Sequence, residues 1–188
     1  MDNISTKDLI LNSAQSLAQS RGFNAFSYAD IATELGVRKA SIHYHFPSKH
    51  DLEAELLRRY RSGFNSELNS IEARDSASVE RLQSYAQLYA TTLSNNRICL
   101  AGMMASDIGA LPEPLTSSLR SFFKEQTDWL AKVMNTGKTN GELNFKGPAS
   151  AQASAFLAAL QGGLLVANAM GDEAAFKRLG QTLISKLQ

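Results

Sequence analysis

Apolar positions recur along almost the whole chain at the three-and-four spacing of an α-helix, and no run shows the strict alternation of a half-buried strand. Ser5 or Thr6 can cap a first helix running to about Ser20, with Ile10, Ala14, Leu17 and Ala18 on its buried stripe and Arg21-Gly22 closing it. Ser27 can cap a short second helix, with Asp30 as its capping-box partner and Ile31, Ala32 and Leu35 on one apolar face. Gly36 can adopt the left-handed conformation that ends it, and Val37 is an apolar plug. A third helix of about two turns then spans Arg38 to Phe46, where Pro47 stops it. This is a helix-turn-helix, and Phe23, Phe26, Ile31, Leu35, Ile42 and Phe46 are expected to fill its small core.

From Ser48 a longer helix carries the ladder Leu52, Leu56, Tyr60 and Phe64, and the polar, small residues 66–78 predict its end and a loop. Ser78 then caps a helix through Val79, Leu82, Tyr85, Leu88, Tyr89 and Leu93, closed by Asn95-Asn96. A short apolar stretch over 98–110 precedes Pro112 and Pro114, and a helix from Pro114 to about Thr136 is expected to end at Gly137 and Gly141. Gly147-Pro148 opens a helix to Met170 without a charged residue, Gly171 closes it, and Asp172 caps the last. The expected architecture is all-α, about nine helices. An N-terminal helix-turn-helix unit occupies 1–47, and an effector-binding and dimerisation part occupies 48–188, with helix 48–70 as connector.

The third helix has two unlike faces. Ile42 and Phe46 share one, while Ala40, His43 and Tyr44 project on the other with Lys39 and Ser41 at its margins. Such a face suits a major groove: Lys39 can donate to guanine, Ala40 can approach a thymine methyl, and Ser41 can bond a base or phosphate. Tyr44, His45 and Lys49 are expected on phosphates, with Arg38 near the groove edge. Ser27, Tyr28 and His43 complete the expected DNA-contacting set. A His43 facing phosphate would strengthen binding as pH falls through its reference value of about 6.5.

Charge sharpens this picture more by position than by total. The formal net charge is only +1, yet residues 36–50 hold Arg38, Lys39, Lys49 and all three histidines with no acid. His43 and His45 lie about 200° apart around the helix axis and Pro47 cuts off His50, so no convergent metal site and no cofactor is expected. Enzyme motifs such as Gly-x-Ser-x-Gly, a phosphate loop or His-Glu-x-x-His do not occur. The single cysteine, Cys99, precludes an internal disulfide; beside Arg97 it is either a packed residue or an oxidant sensor. The N-terminal residues lack a signal-peptide pattern, and Gly147–Gly171 is expected to be too polar for a membrane span, so a cytoplasmic location is expected.

Ile31-Ala32, Gly36-Val37, Ser41-Ile42-His43-Tyr44-His45-Phe46 and Ser48-Lys49-x-Asp51-Leu52 together resemble the DNA-binding domain of the tetracycline-repressor-like (TetR/AcrR) transcriptional regulators, over about residues 5–60. The family usually carries an aromatic residue, most often tyrosine, where this chain has His43. The resemblance implies a homodimer formed by the last two helices as a four-helix bundle, and a small apolar or amphipathic effector bound between the other C-terminal helices.

Small residues along the uncharged helix suit close approach of a partner helix, and the expected dimer residues are Ala155, Ala159, Gly162, Gly163, Val166, Phe176 and Leu183. Burial within the monomer is the alternative. For an effector, Tyr85, Tyr89, Met103, Met104, Phe122, Gln126 and Trp129 can line an apolar cavity or simply form core. Asp107 can orient a ligand or face water. The function expected is a DNA-binding regulator that represses from a palindromic operator and is released by a small-molecule effector. The alternatives are an activator, an effector-independent DNA binder, and a helical ligand-binding protein or enzyme.

Overall fold

The computed structural model describes residues 4–188, so Met1 to Asn3, where the expected lack of a signal peptide begins, lie outside the described residues. Nine α-helices and two short 3-10 turns make up the fold, with no strand among the described residues: α1 (Thr6–Arg21), α2 (Tyr28–Leu35), α3 (Lys39–His45), α4 (Lys49–Arg74), α5 (Ser78–Ser94), α6 (Leu100–Ser106), α7 (Glu113–Thr139), α8 (Ala149–Met170) and α9 (Glu173–Ser185). They form two compact units. One comprises the chain to Ser62 together with Leu100–Leu119, and the other comprises Gly63–Cys99 with Arg120–Gln188.

In the first unit α1, α2 and α4 each start where a side chain satisfies free N–H groups. Ser5 Oγ accepts from Asp8 N, Ser27 and Asp30 form a reciprocal capping box, and Ser48 and Asp51 do the same for α4. Hydrogen bonds from Ser27 hold the Asp30 carboxyl below the usual carboxylate range, and those from Ser48 do so for Asp51. Gly36, at φ 65°, ends α2 in the left-handed region. Ile10, Ala14, Phe23, Phe26, Ile31, Ile42, Phe46, Leu52 and Leu56 form the core, while Leu35 is only half-buried. α6 packs on α1 in the same unit.

Two helix ends differ from the sequence expectation, each for a packing reason. α4 does not stop near residue 66, because Leu68 and Ile71 continue its buried stripe four and seven positions beyond Phe64; the turn is confined to 75–77 and the N-cap of α5 is Ala77, not Ser78. α7 likewise runs through Gly137 to Thr139. A Cβ at Gly137 would lie 2.7 Å from both Ser78 Cβ and Leu143 Cδ1, so glycine serves close approach there rather than termination. Alanine normally favours a helix interior over glycine by about 1 kcal/mol. Gly137→Ala is nevertheless expected to destabilise the protein by roughly 1–3 kcal/mol, because Ser78 Cβ cannot swing aside. A raised midpoint in urea would contradict this.

In the second unit α5, α8 and α9 pack on one another. α8 buries Ala153, Phe156, Leu157, Leu160, Leu164 and Ala167 and leaves Ala155, Ala158, Gly162, Leu165, Val166, Ala169 and Met170 exposed. That open set recurs at three- and four-residue intervals and forms one stripe. Contrary to the expectation from its scattered polar residues, α8 is long and apolar enough by length and composition to cross a bilayer; one of its faces is instead packed on α5 and α9.

Candidate nucleic-acid interface

Burial of Ile42 and Phe46, 0% and 2% exposed, fixes the roll of α3 and turns its other face outward. Arg38, Lys39, Ala40, His43 and Tyr44 are exposed, and Ser41 and His45 are half-buried. Tyr44 is 84% exposed, far beyond what packing would leave for an aromatic residue, and its ring meets His45 edge-on at 5.2 Å. Thr6, Arg38, Ala40, Ser41, Tyr44 and His45 line a shallow surface hollow of about 450 Å³. Donors, a methyl group and cationic side chains thus converge on a face that can lie against a duplex.

Thr6 was not among the residues expected there. Its only sequence signal is its position beside the Ser5 cap, in the first turn of a helix whose N-terminus has free N–H groups.

Two expected contacts are otherwise engaged. Tyr28 is 7% exposed, and its hydroxyl donates toward Phe46 O at 3.0 Å and Ser48 O at 2.6 Å, on either side of Pro47. It clasps the turn between α3 and α4. Burial, then the nearby charges of Asp51 and Glu53, push its phenol up to about 12, so it stays a donor. The ring meets His43 edge-on at 4.8 Å, so the imidazole supplies an aromatic contact at the position where the family usually carries tyrosine. Lys49 is half-buried, its ammonium donates to Phe23 O and to Phe26 O, the latter at 3.0 Å, and it lies 4.9 Å from the Phe26 ring centroid. It ties the 23–26 turn to α4. Lys49→Met is therefore expected to cost about 1.5–3 kcal/mol of stability, since hydrogen bonds from charged groups contribute that much. An unchanged melting curve with a reduced salt slope of DNA binding would return Lys49 to the phosphates.

The family model described as bacterial regulatory proteins of the tetR family matches residues 10–56, and that of the tetracyclin repressor-like C-terminal domain matches residues 78–183. The chain belongs to the TetR family. A TetR-family transcriptional regulator of Agrobacterium tumefaciens is 35% identical, with 97% of each chain covered and a TM-score of 0.93. A TetR regulator of Legionella pneumophila is 32% identical over the whole of both chains with a TM-score of 0.90. The biofilm operon icaADBC negative transcriptional regulator IcaR of Staphylococcus aureus is 24% identical over 131 residues, 63% of this chain and 70% of that protein. TetR regulators are DNA-binding proteins rather than enzymes, and they act as dimers that respond to small molecules.

For this TetR regulator the residues expected at an effector site fall in both units. Tyr85, Tyr89, Phe122, Gln126 and Trp129 come together in the second, where Tyr85 and Trp129 stack at 5.5 Å and 19° and Phe64, which sequence reasoning placed only on the α4 ladder, meets Tyr85, Tyr89 and Phe122 edge-on. Met103, Met104 and Asp107 belong to the first, where Asp107 accepts from Asn24 Nδ2 at 3.0 Å instead of standing free for a ligand. Cys99 is 1% exposed and accepts from Gln161 Nε2 at 3.4 Å; a redox-sensing thiol requires more access than that.

Of the expected dimer residues, Ala155, Gly162 and Val166 lie on the open stripe of α8, and Ala159 and Leu183 are half-buried. Phe176 and Gly163 serve the subunit's own core: Phe176 is 2% exposed, and a Cβ at Gly163 would come within 2.1 Å of Leu179 Cδ2. Leu165 and Met170, 51% and 71% exposed, are the large apolar members of the stripe that sequence reasoning missed.

Proposed function

We propose that this TetR regulator is a cytoplasmic homodimeric repressor that holds a palindromic operator through α3 and its flanking turns and releases it when a small molecule binds between residues 80 and 170. The observation that carries the DNA-binding part is the outward face of α3, where Arg38, Lys39, Ala40, His43 and Tyr44 stand exposed over a buried Ile42 and Phe46. Repression is supported by the relative named a negative regulator. A homodimer is supported by the open stripe of α8, which exposes Leu165, Val166 and Met170.

Residues 1–47 act as the DNA-binding domain and 48–188 as the sensing and dimerisation domain, with α4 carrying movement between them. Effector binding favours a dimer whose recognition helices no longer match half-sites about 34–36 Å apart, and so shifts the population away from DNA. Lys39 and Ala40 read bases; Ser41, Tyr44, His45 and Thr6 hold the backbone.

Lys39→Ala is expected to relax preference at one base pair per half-site, by about 1–3 kcal/mol, while lysine or arginine contacts to phosphate set a steep fall of affinity with salt. Competition binding with single-base operator variants checks this. A uniform loss over all variants would move Lys39 to the phosphate backbone.

A further inference from the structure

The aromatic cluster of the second unit contains an imbalance that packing does not explain. Gln126 is 0% exposed and its Nε2 has no hydrogen-bond partner, and the indole Nε1 of Trp129, one turn further along α7, is also buried and unpartnered. Both residues meet Tyr85: its hydroxyl lies 3.4 Å from Gln126 Oε1, and its ring stacks on Trp129. Buried polar groups left without partners are few in native proteins, and two side by side call for an explanation, of which a bound molecule that accepts from both is one.

The surrounding groups define what that something is. Tyr85 and Tyr89 face each other at 3.4 Å through their hydroxyls, and Gln161 Nε2 donates to Tyr89 at 3.2 Å, so the acceptors in the cluster are already in use while two N–H donors remain. Phe64, Tyr85, Phe122 and Phe156 supply flat apolar walls. Burial keeps the Tyr85 phenol protonated, and none of these side chains offers a charge to balance an ionic ligand. Trp129 is only half-buried, which gives the cluster an edge toward the surface.

We infer that Gln126 and Trp129 are donors for an uncharged, ring-bearing effector with a carbonyl-type oxygen, which stacks among the aromatic rings and takes the two free N–H groups. The inference rests on the proposed effector role of the second unit and names the chemical class of its ligand. A carboxylate or an ammonium ion would have to shed its water with no opposite charge to meet it, and a pure hydrocarbon would leave both donors unpaired.

Four probes of similar shape separate these cases: acetophenone, α-methylstyrene (the ketone oxygen replaced by CH2), benzoate and benzylammonium. Titration calorimetry of the full chain without DNA is expected to show acetophenone binding about tenfold or more tighter than each of the others, the ratio a lost hydrogen bond to a buried donor produces. Gln126→Leu is expected to bring acetophenone and α-methylstyrene to within about twofold of each other, and to melt close to wild type, because removal of the unpaired Nε2 offsets loss of the Oε1 that Tyr85 meets and the Tyr85 hydroxyl retains Tyr89 as a partner. The carbonyl stretch of acetophenone, read by infrared difference on the wild-type protein, is expected to move to lower frequency on binding, which holds whether or not the variant folds.

Equal affinity for ketone and hydrocarbon, an unshifted carbonyl stretch, or no binding of any probe would overturn the inference, the last because bound water then completes the donors. Adding an operator fragment separates the two levels. Probe binding with the predicted preference but without release of DNA contradicts the effector mechanism and leaves the ligand class standing.

Discussion

Val166→Arg is expected to yield a folded monomer with operator affinity reduced by about 100-fold or more, the scale on which two linked half-site contacts exceed one. Val166 is 59% exposed and sits on the open stripe of α8. An arginine there meets no internal neighbour, so the subunit's own stability should change by no more than about 0.5 kcal/mol. In a two-fold dimer the same patch faces itself, so each substitution enters the interface twice, as two like charges and two bulky side chains in a seam lined by Ala155, Ala158 and Gly162. Sedimentation equilibrium reads the change of mass, and fluorescence anisotropy on an operator duplex reads the affinity. A variant that remains dimeric with unchanged binding would place the interface elsewhere.

Phe46→Ala is expected to lower stability by about 3–5 kcal/mol, or roughly 6–20 °C in melting temperature for a chain of this size, as truncation of a buried phenylalanine does. Phe46 is 2% exposed, ends α3, and its carbonyl accepts from Tyr28 across the turn into α4. Its loss leaves a cavity under the recognition helix and frees the roll that Ile42 and Phe46 impose together. DNA binding should therefore fall further than the shift in melting predicts, even at temperatures where the protein remains folded. Calorimetric melting and anisotropy on the same preparation test both parts. Full operator affinity in a destabilised variant would mean that α3 is oriented by other contacts.

These effects trace how far the sequence could be read. Caps and turns were legible, because Ser5, Ser27, Gly36, Ser48, Gly171 and Asp172 act through bonds to their own neighbours and Pro47 through its missing N–H, and local chemistry is written in order along the chain. The outward face of α3 was legible for the same reason, since one helical period decides it. Roles set by distant residues were hidden. Gly137 looks like a helix end until Ser78 and Leu143 are seen beside it, and Lys49 looks like a phosphate ligand until Phe23 and Phe26 turn their carbonyls toward it. Gly163 looks like part of a dimer seam until Leu179 of α9 is seen against it, and Phe176, on α9 itself, turns into the subunit's own core. The stripe that remains open, from Ala155 to Met170, follows the helical period and was readable once the other face of α8 was known to be taken.

The central claim, that the exposed face of α3 reads a two-fold operator, is tested most directly by selecting bound duplexes from a genomic library with the purified full chain at two salt concentrations. The account predicts enrichment of one palindrome, bound more weakly at the higher salt in proportion to the phosphates neutralised. Recovery of duplexes without a common sequence, or binding that salt does not affect, would contradict it.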